Sequence, residues 1–163
     1  MRFIAALVCF SVLSALGLAQ HDASAHDQHM ADLKKHGAEA MGFDQDKTTH
    51  HFRLYKDGGA VEVAAKDPAD TASIGQIRDH LKQQAKKFAT GDFGAPQHTH
   101  GQVPPGVETM IKLRSKIQYE FQSTEHGGRL RITTADAQAL AAVHQFLRFQ
   151  IEDHGTGDKT SIE

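Results

Sequence analysis

"KTTHHFRLYKDGGAVEV", residues 47–63, decides how the rest of the chain is read. Phe52 and Leu54 alternate with Arg53 and Tyr55, and Val61 and Val63 alternate with Glu62 and Ala64, the period of a half-buried strand. Asp57-Gly58 between the two runs is a hairpin-turn signal. A two-residue turn there would pair Leu54 with Val61 and Phe52 with Val63, with all four on one face. The same parity sends His50 inward and His51 outward. Adjacent histidines on a regular strand therefore cannot grip one ion.

Working outward, a related pattern recurs. "KIQYEFQS" (116–123) and "RLRITT" (129–134) flank Glu125-His126-Gly127-Gly128 and predict a second hairpin, with Phe121 opposite Ile132 and Ser123 opposite Leu130. Each hairpin is followed by an amphipathic helix. In the first, Asp67-Pro68 is the start signal, Ile74, Ile77, Leu81, Ala85 and Phe88 form the apolar stripe, and Gly91 is the stop. In the second, Leu140, Val143, Leu147 and Ile151 form the stripe and Gly155 the stop. Between the halves runs a Gly/Pro-rich connection, "GDFGAPQHTHGQVPPG" (91–106), then a short helix near Pro105 with Val107, Met110 and Ile111.

Each half carries a Gly-Gly pair (58–59, 127–128), one helix histidine (His80, His144) and a Thr-Gly-Asp end (90–92, 156–158). The repeat, over about 50–92 and 117–158, predicts an α+β fold. Two ββα units would form a four-stranded antiparallel sheet, with two long helices packed on one face. A single α+β domain is expected over 47–163.

Residues 1–19 read as an export signal: Arg2, an apolar run from Phe3 to Leu18, and small residues at Gly17 and Ala19. Ala23-Ser24-Ala25 is a second acceptable cleavage site. The expectation is a periplasmic or secreted protein without stable membrane insertion after cleavage. Cys9, the only cysteine, lies in this leader, so the mature chain would have no disulfide and no thiolate metal site. Without residues 1–19 there remain 17 basic and 20 acidic residues, too balanced for a nucleic-acid surface. Residues 20–46 form a polar, His- and Met-containing arm, with a weak helical pattern from about Asp27 to Ala40 and order expected from Met41-Gly42-Phe43.

The chain has 12 histidines, and five are candidate metal ligands: His50, His80, His98, His100 and His144. Taken singly, His144 on its apolar stripe reads as a core residue bonded to a carbonyl, and His80 as a boundary residue. The repeat, however, would place both over the sheet face that His50 enters, and a shared ion would satisfy three buried imidazoles together. His98 and His100 would project the same way from an extended loop and could grip one cation. In the arm, His26, His29, Met30, His36 and Met41 are the imidazole–thioether mixture that suits copper. Cleavage after Ala25 would make His26 the first residue, able to chelate through its amine and ring. His126, in a turn, and His154, at a helix C-terminus, read as structural.

These features point to an exported metal-binding protein handling copper or zinc ion. The alternative is a non-catalytic accessory module for a small ligand or protein partner, with His80 and His144 structural. No Walker A loop, dinucleotide fingerprint, G-x-S-x-G elbow or H-E-x-x-H motif is present, and no catalytic residues are assigned.

The stretches "MGFDQDKTTHHF", "PPGVETM" and "AAVHQFLRFQIEDHGTGD" resemble a group of small exported bacterial proteins of uncharacterised function. Some of them are labelled aspartate carbamoyltransferase. This chain is far shorter than a transcarbamoylase catalytic chain and holds no carbamoyl-phosphate motif. The resemblance implies an exported bacterial protein and carries over no catalytic residue or cofactor.

Overall fold

The computed structural model describes residues 15–163, so most of the expected leader lies outside the described residues. The chain divides into two compact units, Met1–Asp32 and Leu33–Glu163. In the first, the described residues are helical, and Gln28 Nε2 donates to Asp32 Oδ1 across one turn (3.1 Å). The helix itself, α1, spans Ala15–Met41, well beyond the short helix expected over 27–40. Its run of Ala, Leu, Gln, Lys and Glu without proline supports that length. It ends at Gly42, whose φ of +71° only glycine adopts readily.

The second unit follows the order β1 (Thr48–Tyr55), β2 (Gly58–Ala65), α2 (Thr71–Thr90), α3 (Gly94–His100), α4 (Val107–Lys112), β3 (Ile117–Thr124), β4 (Gly127–Thr134) and α5 (Ala137–His154). The sheet is antiparallel throughout, in the order β1-β2-β4-β3. This is the α+β fold of two ββα units that the repeat predicts. The halves cross over: α2 packs on β3 and β4, and α5 packs on β1 and β2. Ile77, Leu81 and Phe88 of α2 and Val143, Phe146 and Leu147 of α5 are buried with Leu54, Val63, Leu130 and Ile132 of the sheet in one core. Asp70 caps α2 by accepting from Ser73 N, and Asp136 caps α5 by accepting from Gln138 N and Ala139 N. The first of these helices therefore starts after Asp70 rather than at Asp67-Pro68.

Both hairpins differ from expectation in the same way. Leu54 pairs with Gly59 and Phe52 with Val61, so the turn is Lys56-Asp57. Phe121 pairs with Leu130 and Ser123 with Gly128, with Glu125-His126 as the turn. Each register is shifted by two residues, an even number, so every side chain keeps its expected face. The cause is that both Gly-Gly pairs belong to strands. A Cβ at Gly58 would collide with the Ile132 carbonyl, one at Gly59 with Leu147 and the Arg53 carbonyl, and one at Gly127 with the Val63 carbonyl. These glycines permit close approach of neighbours and do not form the turns.

The C-terminal residues run along the outer edge of β1. Asp158 Oδ2 accepts from Phe52 N (3.0 Å), Asp158 Oδ1 accepts from His51 Nδ1 (2.9 Å), and Glu163 N donates to Leu54 O (2.9 Å). On the sheet's outward face Arg129 Nε donates to Glu62 Oε1 (2.7 Å), and the Arg131 guanidinium lies 4.7 Å from the Tyr55 ring centre. Among the described residues no helix is long and apolar enough to cross a membrane.

Candidate functional site

Within Leu33–Glu163 a cavity opens between the inner face of β1 and β2, the facing sides of α2 and α5, α3 and the last turn of α1. Its walls are mostly apolar, from Phe52, Val63, Leu81, Phe88 and Phe146. Four imidazoles interrupt them: His50, His80, His100 and His154. The space open to the centre of a water-sized sphere is about 90 Å³. That is several times the ~10–15 Å³ a single water needs.

Strand parity turns His50 inward, as expected. Its Nε2 lies 3.2 Å from Met41 Sδ, and its ring lies 6.0 Å from Phe43, nearly parallel to it. His80 meets the same Phe43 ring edge-on at 5.6 Å. His154 lies 6.4 Å from His50 with the planes 4° apart, 5.6 Å from Phe52, and edge-on to His100 at 4.9 Å. His100 is held most firmly. Its Nδ1 lies 2.6 Å from Asp153 Oδ2 and its Nε2 lies 2.9 Å from the Gln150 carboxamide. A polar partner thus stands at each ring nitrogen, so both are satisfied within the protein.

Burial keeps the other three rings uncharged near neutral pH. It lowers the pKa of His50 to about 4, helped by the neighbouring His80 and His51. It lowers that of His80 to about 4, helped by Lys87. It lowers that of His154 to about 3, where His100 and His50 add to burial and Asp153 opposes them.

Two further groups in the cavity are unusual. Gln84 Oε1 and Gln150 Nε2 are buried and have no hydrogen-bond partner in the protein, and both residues line the cavity at only 5% and 4% exposure. Because His100 occupies one end of the Gln150 carboxamide, either rotamer of that amide leaves one end unpaired. The remaining partnerless buried side-chain atom among the described residues, Tyr119 Oη, belongs to a residue outside the cavity lining.

Of the five predicted ligands, His50, His80 and His100 therefore share this cavity and two do not. His98 is separated from His100 because their segment is helical: residues two apart on a helix face nearly opposite ways. His98 is exposed beside Glu39 Oε2 (3.2 Å) and the His36 ring (5.2 Å). His144 does not enter either. Its Nε2–H is shared between Tyr55 O (2.9 Å) and Gly58 O (3.0 Å), which makes it a brace for the β1–β2 turn. Its counterpart in the other half is Arg78, which donates to Thr124 O and Gly127 O of the β3–β4 turn. The expected equivalence of His80 and His144 is thus out of step by two residues. Among the described residues no group of three or more His, Cys, Asp or Glu side chains is placed to hold a metal ion.

Sequence reasoning did not place His154, Gln84, Gln150 or Met41 at the site. A signal existed for α5: Phe146, Gln150 and His154 recur every four residues, as one stripe of a helix does. Of the arm's candidates, Met41 enters the cavity and His36 packs beside His98 at the surface. His29 is exposed in the first unit, and the side chain of His26 lies outside the described residues. Comparison of the chain with protein families, with curated proteins and with solved structures finds no match.

Proposed function

We propose that this chain is an exported binding protein that holds a small organic molecule in the histidine-lined cavity. The observation that carries the reading is one apolar space gathering neutral imidazoles and two partnerless carboxamide ends, the make-up of a small-ligand pocket. Export is supported by the N-terminal pattern of Arg2, an apolar run and small residues.

A second reading, copper or zinc handling, is favoured by one contact, that of His50 Nε2 with Met41 Sδ. Imidazole with thioether is a donor pair suited to copper(I), and uncharged rings need lose no proton to bind it. The two readings separate in one assay. The mature chain is purified without a His tag, stripped with EDTA, and melted with a panel of small organic compounds or with Cu⁺, Cu²⁺ or Zn²⁺. A ligand at a hundred times its Kd stabilises by about 2.7 kcal/mol. The expected result is a raised Tm with organic compounds that disappears in Ala95→Trp, which fills the cavity from α3. A rise with metal ions alone, lost in Met41→Leu, would transfer the site to the second reading. No rise in either arm would remove both.

A further inference from the structure

Deepening that reading, and resting on it, we infer that the cavity selects an uncharged molecule of single-ring size that carries both a hydrogen-bond donor and an acceptor, as a lactam or pyridone does. Three observations lead there independently of any ligand.

The first is the pair of partnerless atoms. Gln84 Oε1 is a buried acceptor and calls for an N–H or O–H. With Gln150 Oε1 turned to His100, Gln150 Nε2 is a buried donor and calls for a carbonyl or ring nitrogen. Buried polar atoms without partners are costly, and here two belong to residues that line one cavity. A ligand that supplies both partners removes both costs, whereas an isostere lacking them leaves the penalties in place.

The second is charge. His50, His80 and His154 are neutral near pH 7, and His100 is engaged with the Asp153 carboxylate behind it. No Lys or Arg lines the space. An anion would enter a space whose walls carry no Lys or Arg, and a cation one whose walls carry no Asp or Glu.

The third is size. The open space is of the order of the ~150 Å³ engineered cavity that holds benzene. The near-parallel rings of His50 and His154 and the edge-on rings of Phe88 and Phe146 give that space aromatic walls, which suit a ring-sized body.

The test compares three probes of nearly equal shape on the wild-type chain at pH 7 by calorimetry or NMR titration: 2-pyridone, benzene and benzoate. The expected order is 2-pyridone first, with a Kd at least about tenfold below that of benzene, and benzoate weakest. Gln84→Met should weaken 2-pyridone about tenfold and leave benzene within about threefold. The same substitution deletes a partnerless acceptor, so the melting temperature of the unliganded variant should equal or exceed that of the wild type. Benzene or benzoate binding as well as 2-pyridone would overturn the inference and leave the cavity as a binding site. Failure of all three probes to bind would overturn the inference together with the reading on which it rests. If Gln84→Met does not fold, the wild-type ranking decides alone.

Discussion

The Nε2–H of His144 lies between two carbonyl oxygens at 2.9 and 3.0 Å, in a place no water need reach. Replacing the ring with phenylalanine keeps the volume and leaves both Tyr55 O and Gly58 O without this donor. The expected loss is about 1–3 kcal/mol in a denaturant titration, with ligand binding in the cavity unchanged. His144→Phe that keeps full stability would contradict the bracing role. The bland expectation for His144 was legible from its stripe, and so was the inward aim of His50, because both follow from periodicity alone. The separation of His98 from His100 was not. It depends on whether Gly94–His100 is extended or helical, and a segment with Gly, Pro and two His in seven residues carries weak propensity for either.

Among the elements, the glycine pairs matter most. Gly127 sits where β4 passes β2, and any Cβ there would collide with the Val63 carbonyl. Backbone atoms of a central pair cannot step aside as a flexible side chain can. Gly127→Ala should therefore destabilise the fold by more than about 2 kcal/mol, read as a lower midpoint of chemical denaturation. Gly75→Ala, on the exposed face of α2 with open space around it, is the control and should be neutral or stabilising by up to about 1 kcal/mol. The strands, α2, α5 and their order were readable from the alternation and the three-to-four-residue spacing; the length of α1 was not. The registers were not, because Asp-Gly-Gly is equally the signature of a turn and of a strand that must tolerate a close neighbour. Only the partner strand distinguishes the two, and that partner is some 70 residues away, Gly58 pairing with Thr133.

At the scale of the molecule, the half-buried imidazoles of the cavity make the fold acid-sensitive. His50, His80 and His154 have pKa values of about 4, 4 and 3 in the folded chain, against about 6.5 when exposed on unfolding. The unfolded chain thus binds protons that the folded chain refuses once the pH drops below about 6.5. Their contribution is fully present above that value and is lost as the pH falls toward 4. Each ring should cost on the order of 1 kcal/mol per pH unit in that window. Denaturation free energies measured from pH 7 to 4.5 should fall steeply, and less steeply in His154→Phe. A flat profile would mean that these rings are solvated.

The tail along β1 has a further effect. By occupying the outward-facing Phe52 N–H and Leu54 C=O, Asp158 and Glu163 take two of the groups through which a foreign strand would join that side of the sheet. Among the described residues, the middle of the β1 rim is thereby closed to such pairing. A stack that grows end to end needs two free rims on every subunit, so the tail works against it.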